Sequence, residues 1–407
     1  MENTVLLGFA EVDITPAFAV QTIGFNLEDN LSKGILHRLY AQISVWHSDE
    51  GLCCLTALDH IGFAKQEANL LRDEIGSRLG ITREKVMLCF SHTHAAPNIS
   101  IEPEYFAFLR EQVLKGVTQA EQNKTPVEAA WGVAEADIGI NRRNKLGRLD
   151  RRVGILKIVD ASTQRLRLLI LRVTAHANVL QGDNCKISSD FIGVARSLLE
   201  KDYGCKVMIT QGASGNVKPK YTGSLEALDK MAQEIRNAIA PCMESLKPQS
   251  IQRLSMFSYT EAFFADVPTW ERAKEISEEA MSQNHIDGTD WLKEIARLHD
   301  EKVKQQIAEI ETQYFRLNNG CFCGVANEIM CELAVDVAEA CGELIFLGGY
   351  TNGCDGYLPT AEEYDKGGYE VLHSYLIYYI YHGTVMPLNR DTAERLVKSI
   401  INYISAR

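Results

Sequence analysis

The order strand, helix, strand between Cys53 and Phe90 constrains this chain most. Cys53 to Asp59 and Val86 to Phe90 are short apolar runs of strand length. Between them Ala64 to Leu79 carries apolar residues at helical spacing, with Glu67 early and Arg78 late, as the helix dipole prefers. Leu6 to Ile14 and Tyr40 to Trp46 read as further strands. A βαβ order of this kind predicts an α/β fold: a mixed β-sheet core flanked by helices. The middle of the chain repeats it. Val153 to Val159 and Leu166 to Val173 form a hairpin around Asp160 to Gln164. Phe191 to Glu200 is helical, Lys206 to Thr210 is a strand, and Leu225 to Ala240 is a helix capped by Ser224 and stopped at Pro241.

From about Thr269 to Gln313 the composition turns to Glu, Lys, Gln and Ala. This predicts two exposed or half-exposed helices broken at His285-Ile286-Asp287-Gly288, a helical insertion or cap, or a solvated hairpin that only packs, within a single domain of residues 1–407. The tail returns to a strand at Leu344 to Leu347, a loop from Gly348 to Thr360, and a helix from Asp391 to Ile404 capped by Asn389.

Composition excludes several functions. The formal charge of −12 argues against a nucleic-acid binder and against a polybasic membrane-surface protein. No run approaches the roughly 18 apolar residues of a membrane span. The opening MENTVLLGFAEVDITP has no basic residue before its apolar run, so it does not read as an export signal, and the expected location is cytoplasmic. Eleven cysteines without framework spacing read as reduced core thiols, with Cys321 and Cys323 the one C-x-C pair that could bind a metal.

Five segments could carry chemistry. Ser91-His92-Thr93-His94-Ala95-Ala96-Pro97 follows a strand. Two histidines at i and i+2 in an extended segment face one side, as a metal pair or as a hydrogen-bonded pair at a strand end. His176 follows the strand Leu166 to Val173, as a ligand or as a satisfied core histidine. Gln211-Gly212-Ala213-Ser214-Gly215-Asn216-Val217-Lys218-Pro219 could bring backbone amides to a substrate oxygen or be a tight turn. It is neither a phosphate loop nor a nucleophile elbow. Glu328 sits where Ile329, Leu333 and Val337 repeat every four positions, which places it in a helix's first turn, as a dipole partner or a metal-ligating carboxylate. The Gly-rich, aromatic loop from Gly348 to Thr360, with Gly367 to Glu370 after it, is long for a mere connection. Tyr357 or Tyr369 could donate a proton or bind a metal, or both could simply pack the loop.

Taken together and in this order, these pieces resemble the neutral, non-lysosomal ceramidases, in their N-terminal catalytic domain and its shorter bacterial relatives. The similar stretches are Gly8 to Pro16, Ser91 to Pro97, Ile140-Asn141-Arg142, the His176 strand with Gly182-Asp183-Asn184, Gly212 to Pro219, and Tyr357 to Glu370. The resemblance implies one zinc held by His92, His176, Glu328, just before a helix, and Tyr357, which precedes Thr360-Ala361-Glu362-Glu363-Tyr364. It puts His94, Arg142 and Tyr369 against the substrate. One position departs: in Gly215-Asn216-Val217-Lys218-Pro219, Lys218 stands where the family has its proposed catalytic serine.

The resulting expectation is a zinc-dependent, ceramidase-like amidohydrolase using metal-activated water on an amide (N-acyl) bond other than that of ceramide. Lys218 either supplies charge to the tetrahedral intermediate or occupies the substrate's place. The alternatives are an inactive ligand-binding homologue and a metal hydrolase of an ester or lactone. The expected partner is a small amide or lipid-like molecule, with no nucleic acid and no stable membrane insertion; a homo-oligomer is left open.

Overall fold

The computed structural model describes residues 4–25 and 29–406. Among these, one mixed sheet runs in the order Lys206–Gln211, Leu166–Val173, Arg152–Asp160, Thr125–Glu135, Leu6–Asp13, Tyr40–Ser48, Gly51–Leu58, Val86–Phe90, with Gln249–Ser250 beside Thr125–Glu135. Its inner pairings are antiparallel. Each edge is parallel, because a helix makes the crossover there: Lys65–Leu79 leads to Val86–Phe90, and Asp190–Tyr203 leads to Lys206–Gln211. The α/β expectation with a mixed sheet core and flanking helices therefore holds.

Strand alternation sends one set of side chains to the helices and the other to a second sheet. Val45, Cys54 and Leu88 face Lys65–Leu79 and the helix Pro103–Gln122. Leu169, Leu171 and Ile209 face Asp190–Tyr203 and Leu225–Ser245. From the opposite face Trp46, Leu55, Leu156 and Ile170 meet Phe315, Phe322 and Phe346 of a four-stranded sheet in the order Leu254–Asp266, Gln305–Leu317, Gly320–Gly324, Ile345–Gly348. The helices Cys331–Cys341 and Thr392–Ser405 cover the outer side of that second sheet. The layers are thus helix, sheet, sheet, helix.

Local chemistry explains most boundaries. Lys65–Leu79 buries Ala68, Leu71, Arg72, Ile75 and Gly76 on one face and ends at Gly80, whose φ of 69° suits glycine. The Ser224 hydroxyl accepts from Ala227 N at 3.1 Å, as its N-cap position predicts. Three expectations need correction. The helix from Leu225 runs through Pro241 to Ser245, because Ile235, Ile239 and Met243 keep burying one face while Pro241 lies on the exposed side. The C-terminal helix is Thr392–Ser405, with Asp391 rather than Asn389 at its N-cap; the Asn389 carbonyl instead accepts from Thr392 N.

The third concerns residues 269–313. Two helices form, Trp270–Asn284 and Thr289–Asp300, broken at 285–288, but from Gln305 the chain is a strand. The polar alternation of Gln305–Leu317 belongs to a half-exposed ribbon with Leu254–Asp266, paired along its full length, and the helical pair is the connection of that ribbon. Its apolar face, with Ile276, Trp291 and Ile295, packs on Tyr369, Leu372 and Leu376. Among the described residues no helix is long and apolar enough to cross a membrane.

Candidate metal and active site

The two parallel edge strands lie at opposite ends of the sheet order, yet their C-terminal ends meet. Gln211 Nε2 donates to the Ser91 carbonyl at 3.1 Å. The segments after Phe90, Val173 and Gln211 therefore converge, and three histidines come together where they do.

The chain does not continue extended after Phe90, as the His-x-His spacing suggested. His92 takes a left-handed φ of 61°, a costly conformation for a non-glycine residue. The kink is held by His92 N donating to His60 O at 2.9 Å and by His94 N donating to Ala177 O at 3.2 Å. His92 and His94 still face each other, with Nε2 atoms 3.2 Å apart. Gly24 allows it: a Cβ there would lie 2.7 Å from the Cβ of His94, and its carbonyl is 2.9 Å from His94 Nδ1.

All three imidazoles are oriented in the same way. His92 Nδ1 lies 2.7 Å from Ile61 O, His176 Nδ1 2.7 Å from Ser214 O, and His94 Nδ1 2.9 Å from Gly24 O. A carbonyl can only accept, so each Nδ1 carries the proton and each Nε2 keeps a bare lone pair. Burial drives His94 and His176 down to about 3, assisted by the neighbouring His176 and by Arg142 respectively. Burial also holds His92 well below its ordinary value, against the pull of Glu328. The rings are therefore neutral at pH 7, and their lone pairs point at one another.

Glu328 completes the cluster. It does not lie in a helix's first turn. Glu328–Ile329 is a two-residue strand parallel to Tyr357–Leu358, and the helix starts at Cys331. Its Oε2 stands 3.4 Å from His92 Nε2 and 3.4 Å from His176 Nε2, while the latter nitrogen has no hydrogen-bond partner. These separations are long for hydrogen bonds. They fit ligands about 2.0–2.2 Å from one tetrahedral cation, which are spaced roughly 3.3–3.5 Å apart. Among the described residues His92, His94 and His176 are the one His, Cys, Asp or Glu group close enough together to hold a metal. The residues present thus fit a divalent cation. Cys321 and Cys323 are both buried in the apolar layer, where the Cys323 sulfur and burial push the Cys321 thiol up, and among the described residues no further ligand groups with them.

Tyr350 is a participant that sequence reasoning missed. Its hydroxyl donates to Glu328 Oε2 at 3.2 Å and accepts from Ser214 Oγ at 3.1 Å, and its ring centroid is 4.1 Å from that of His92. The signal was present in Gly348-Gly349-Tyr350, but only a φ of 52° turns this tyrosine inwards. The two glycine amides of the Gly212 to Pro219 loop are used within the protein. Gly212 N donates to Val173 O and Gly215 N to Ile329 O, which ties the loop to the strand that carries Glu328. A Cβ on Gly215 would sit 2.4 Å from the Glu328 carbonyl oxygen. Gly215→Ala is expected to cost about 1–3 kcal/mol and to weaken metal retention, read by thermal melting and by metal content.

Tyr357 lies opposite Glu328 in the parallel pair, and its hydroxyl is 3.2 Å from Arg142 Nη2. Burial and the Glu328 carboxylate push this phenol up, and Arg142 opposes them. Tyr369 stands at the rim, its ring 6.0 Å from that of Tyr357. A cleft opens from His92 and His94 between Phe63, Ile99, Tyr378 and Tyr381. Lys218 stays outside this group: its side chain is exposed between the buried Val217 and Pro219 and makes no hydrogen bond or ion pair to the imidazoles.

Comparison with solved structures bears on the architecture. The neutral ceramidase from Pseudomonas aeruginosa superposes with a TM-score of 0.73 over 100% of this chain and 75% of that one, at 16% identity. The fold is that of neutral ceramidase. A ceramidase complexed with C2 gives a TM-score of 0.75 over 99% of this chain and 75% of that one, again at 16% identity. No family model and no curated protein matches the sequence. The ceramidase fold thus spans the chain from the first described strand to the last helix. The helical pair at 270–300 lies within that span.

Proposed function

We propose that the protein is a zinc-dependent hydrolase of an amide (N-acyl) bond. The observation that carries this reading is the spacing of Glu328 Oε2 from two bare, buried Nε2 atoms. His92, His176 and Glu328 would hold the ion, with Tyr357 as a further ligand. When bound, such a cation polarises a carbonyl and lowers the pKa of water to about 7. The chain's own residues do the rest. Tyr350 orients Glu328. Arg142 brings a fixed positive charge beside Tyr357, where a tetrahedral oxyanion can be stabilised. His94, neutral and with its Nε2 lone pair free, can accept a hydrogen bond from the attacking water or the substrate, and Tyr369 can donate a proton from the rim. The apolar walls of the cleft suit an acyl or lipid-like group and exclude water. Lys218 makes no contact that supports a catalytic part, and the amide cleaved is read as other than that of ceramide.

Elemental analysis tests the metal, with about one zinc per chain expected. Chelation should lower the melting temperature and zinc should restore it, since an ion at a thousand times its Kd contributes about 4 kcal/mol. Protein that holds no metal even after zinc is supplied would sink the reading. A screen of amides, esters and lactones on zinc-loaded protein then identifies the bond. If every substrate is inert and Lys218→Ser gains turnover, the chain is a binding homologue instead.

A further inference from the structure

Arg142 places a cation beside the site, and a long side chain of this kind does not hold one position without anchors. Its Nη2 donates to the Gly215 carbonyl at 2.7 Å and lies 3.2 Å from the Tyr357 hydroxyl. On its other side Nε stands 2.8 Å from Glu370 Oε1, an ion pair by distance in which the N–H is not aimed at the oxygen and makes no hydrogen bond. The second oxygen of that carboxylate is 2.8 Å from Arg143 Nη1, and Arg143 also binds Glu363 Oε2 at 2.6 Å and the Gly367 carbonyl at 2.9 Å. Glu370 is buried and shared by two consecutive arginines, only one of which reaches the site.

The backbone that carries Glu370 is unusual. Tyr369–His373 is a π-helical turn, a form rare in proteins and frequent at functional sites. It is entered through Gly367 and Gly368, at φ 58° and 82°, where a side chain would be strained. The turn sends Tyr369 to the cleft and Glu370 back towards the arginines, so one short segment sets both.

We propose that Glu370 is a positioning residue: it holds Arg142 from behind, so that the guanidinium stays on the Tyr357 oxygen. Glu370 touches neither the imidazoles nor Glu328, and it acts through Arg142. The inference rests on the metal-site reading for its purpose, but the anchoring itself can be tested without a metal. A purely structural carboxylate would behave like Glu363, which binds only Arg143 and Lys366. Glu363→Gln is therefore the control.

The first measurement is the arginine Nε–H spectrum of ¹⁵N-labelled protein, with the Arg142 signal assigned by its loss in Arg142→Lys. That signal should shift or broaden in Glu370→Gln and stay in place in Glu363→Gln. The second is cobalt binding followed by its visible bands. Affinity should fall about 10–100-fold in Glu370→Gln, the usual cost of losing an outer contact, and remain within error of wild type in Glu363→Gln. If Glu370→Gln does not fold, Glu370→Asp, which retracts the charge by one methylene, takes its place. An unmoved Arg142 signal, or equal losses in both glutamine variants, overturns the proposal. Wild-type protein that binds no cobalt overturns the metal reading instead, and the Arg142 signal alone then decides the role of Glu370.

Discussion

His176→Ala protein, purified alongside wild type, is expected to fold, to contain no zinc and to hydrolyse nothing. Deleting His176 removes one of the two Nε2 atoms that share Glu328 Oε2, and it also frees the Ser214 carbonyl from its imidazole. If His176 is a direct ligand, as proposed, the loss should exceed the roughly 10–100-fold that an outer contact costs. Glu328→Gln keeps the volume and removes the charge, so it should behave the same way. Metal content and circular dichroism together check the outcome. Stoichiometric zinc in either variant would mean that the imidazoles and carboxylate are a hydrogen-bonded core cluster and not a metal centre.

Asp59→Ala should cost about 3–5 kcal/mol, the largest stability effect expected of a single substitution here. Asp59 receives Arg196 Nη1 at 3.0 Å and Nη2 at 2.7 Å, and it accepts Tyr40 N at 2.9 Å. The two side chains are only 2% and 4% exposed, so the variant leaves a buried guanidinium with no carboxylate nearer than Glu11, 4.0 Å from its Nε. The pair also ties Asp190–Tyr203 to the strand end that precedes His60, whose carbonyl holds the His92 amide. Denaturant unfolding measures the loss. Replacing both partners, as in Asp59→Leu with Arg196→Met, should recover most of it, since a matched apolar pair removes the stranded charge. A single variant within about 1 kcal/mol of wild type would show that water reaches this site.

Much of the architecture could be read in advance, for a local reason. Val86 to Phe90 and Leu166 to Val173 are mostly apolar runs buried on both faces, and Lys65–Leu79 buries one face at helical spacing, so each signal is written in consecutive residues. Where local signals conflicted with burial, burial won. Pro241 did not stop its helix, and the polar run from Gln305 became a strand because a partner strand lay ready in Leu254–Asp266. Within the site, residue type and position after a strand were enough to single out His92, His94 and His176. The geometry of their meeting was not readable, because it depends on a left-handed His92 and on two sheet edges closing on each other.

The amino-acid order alone therefore determined the alternation of strands and helices and the short set of side chains able to bind a cation, since both follow from neighbouring residues and their chemistry. Only the tertiary structure decided that Glu328 leaves the helix to face two imidazoles, that Tyr350 supports it, that Glu370 stands behind Arg142, and that Lys218 points to solvent. The first three are contacts between segments far apart along the chain and the fourth is the lack of one, and all are set by how the layers pack.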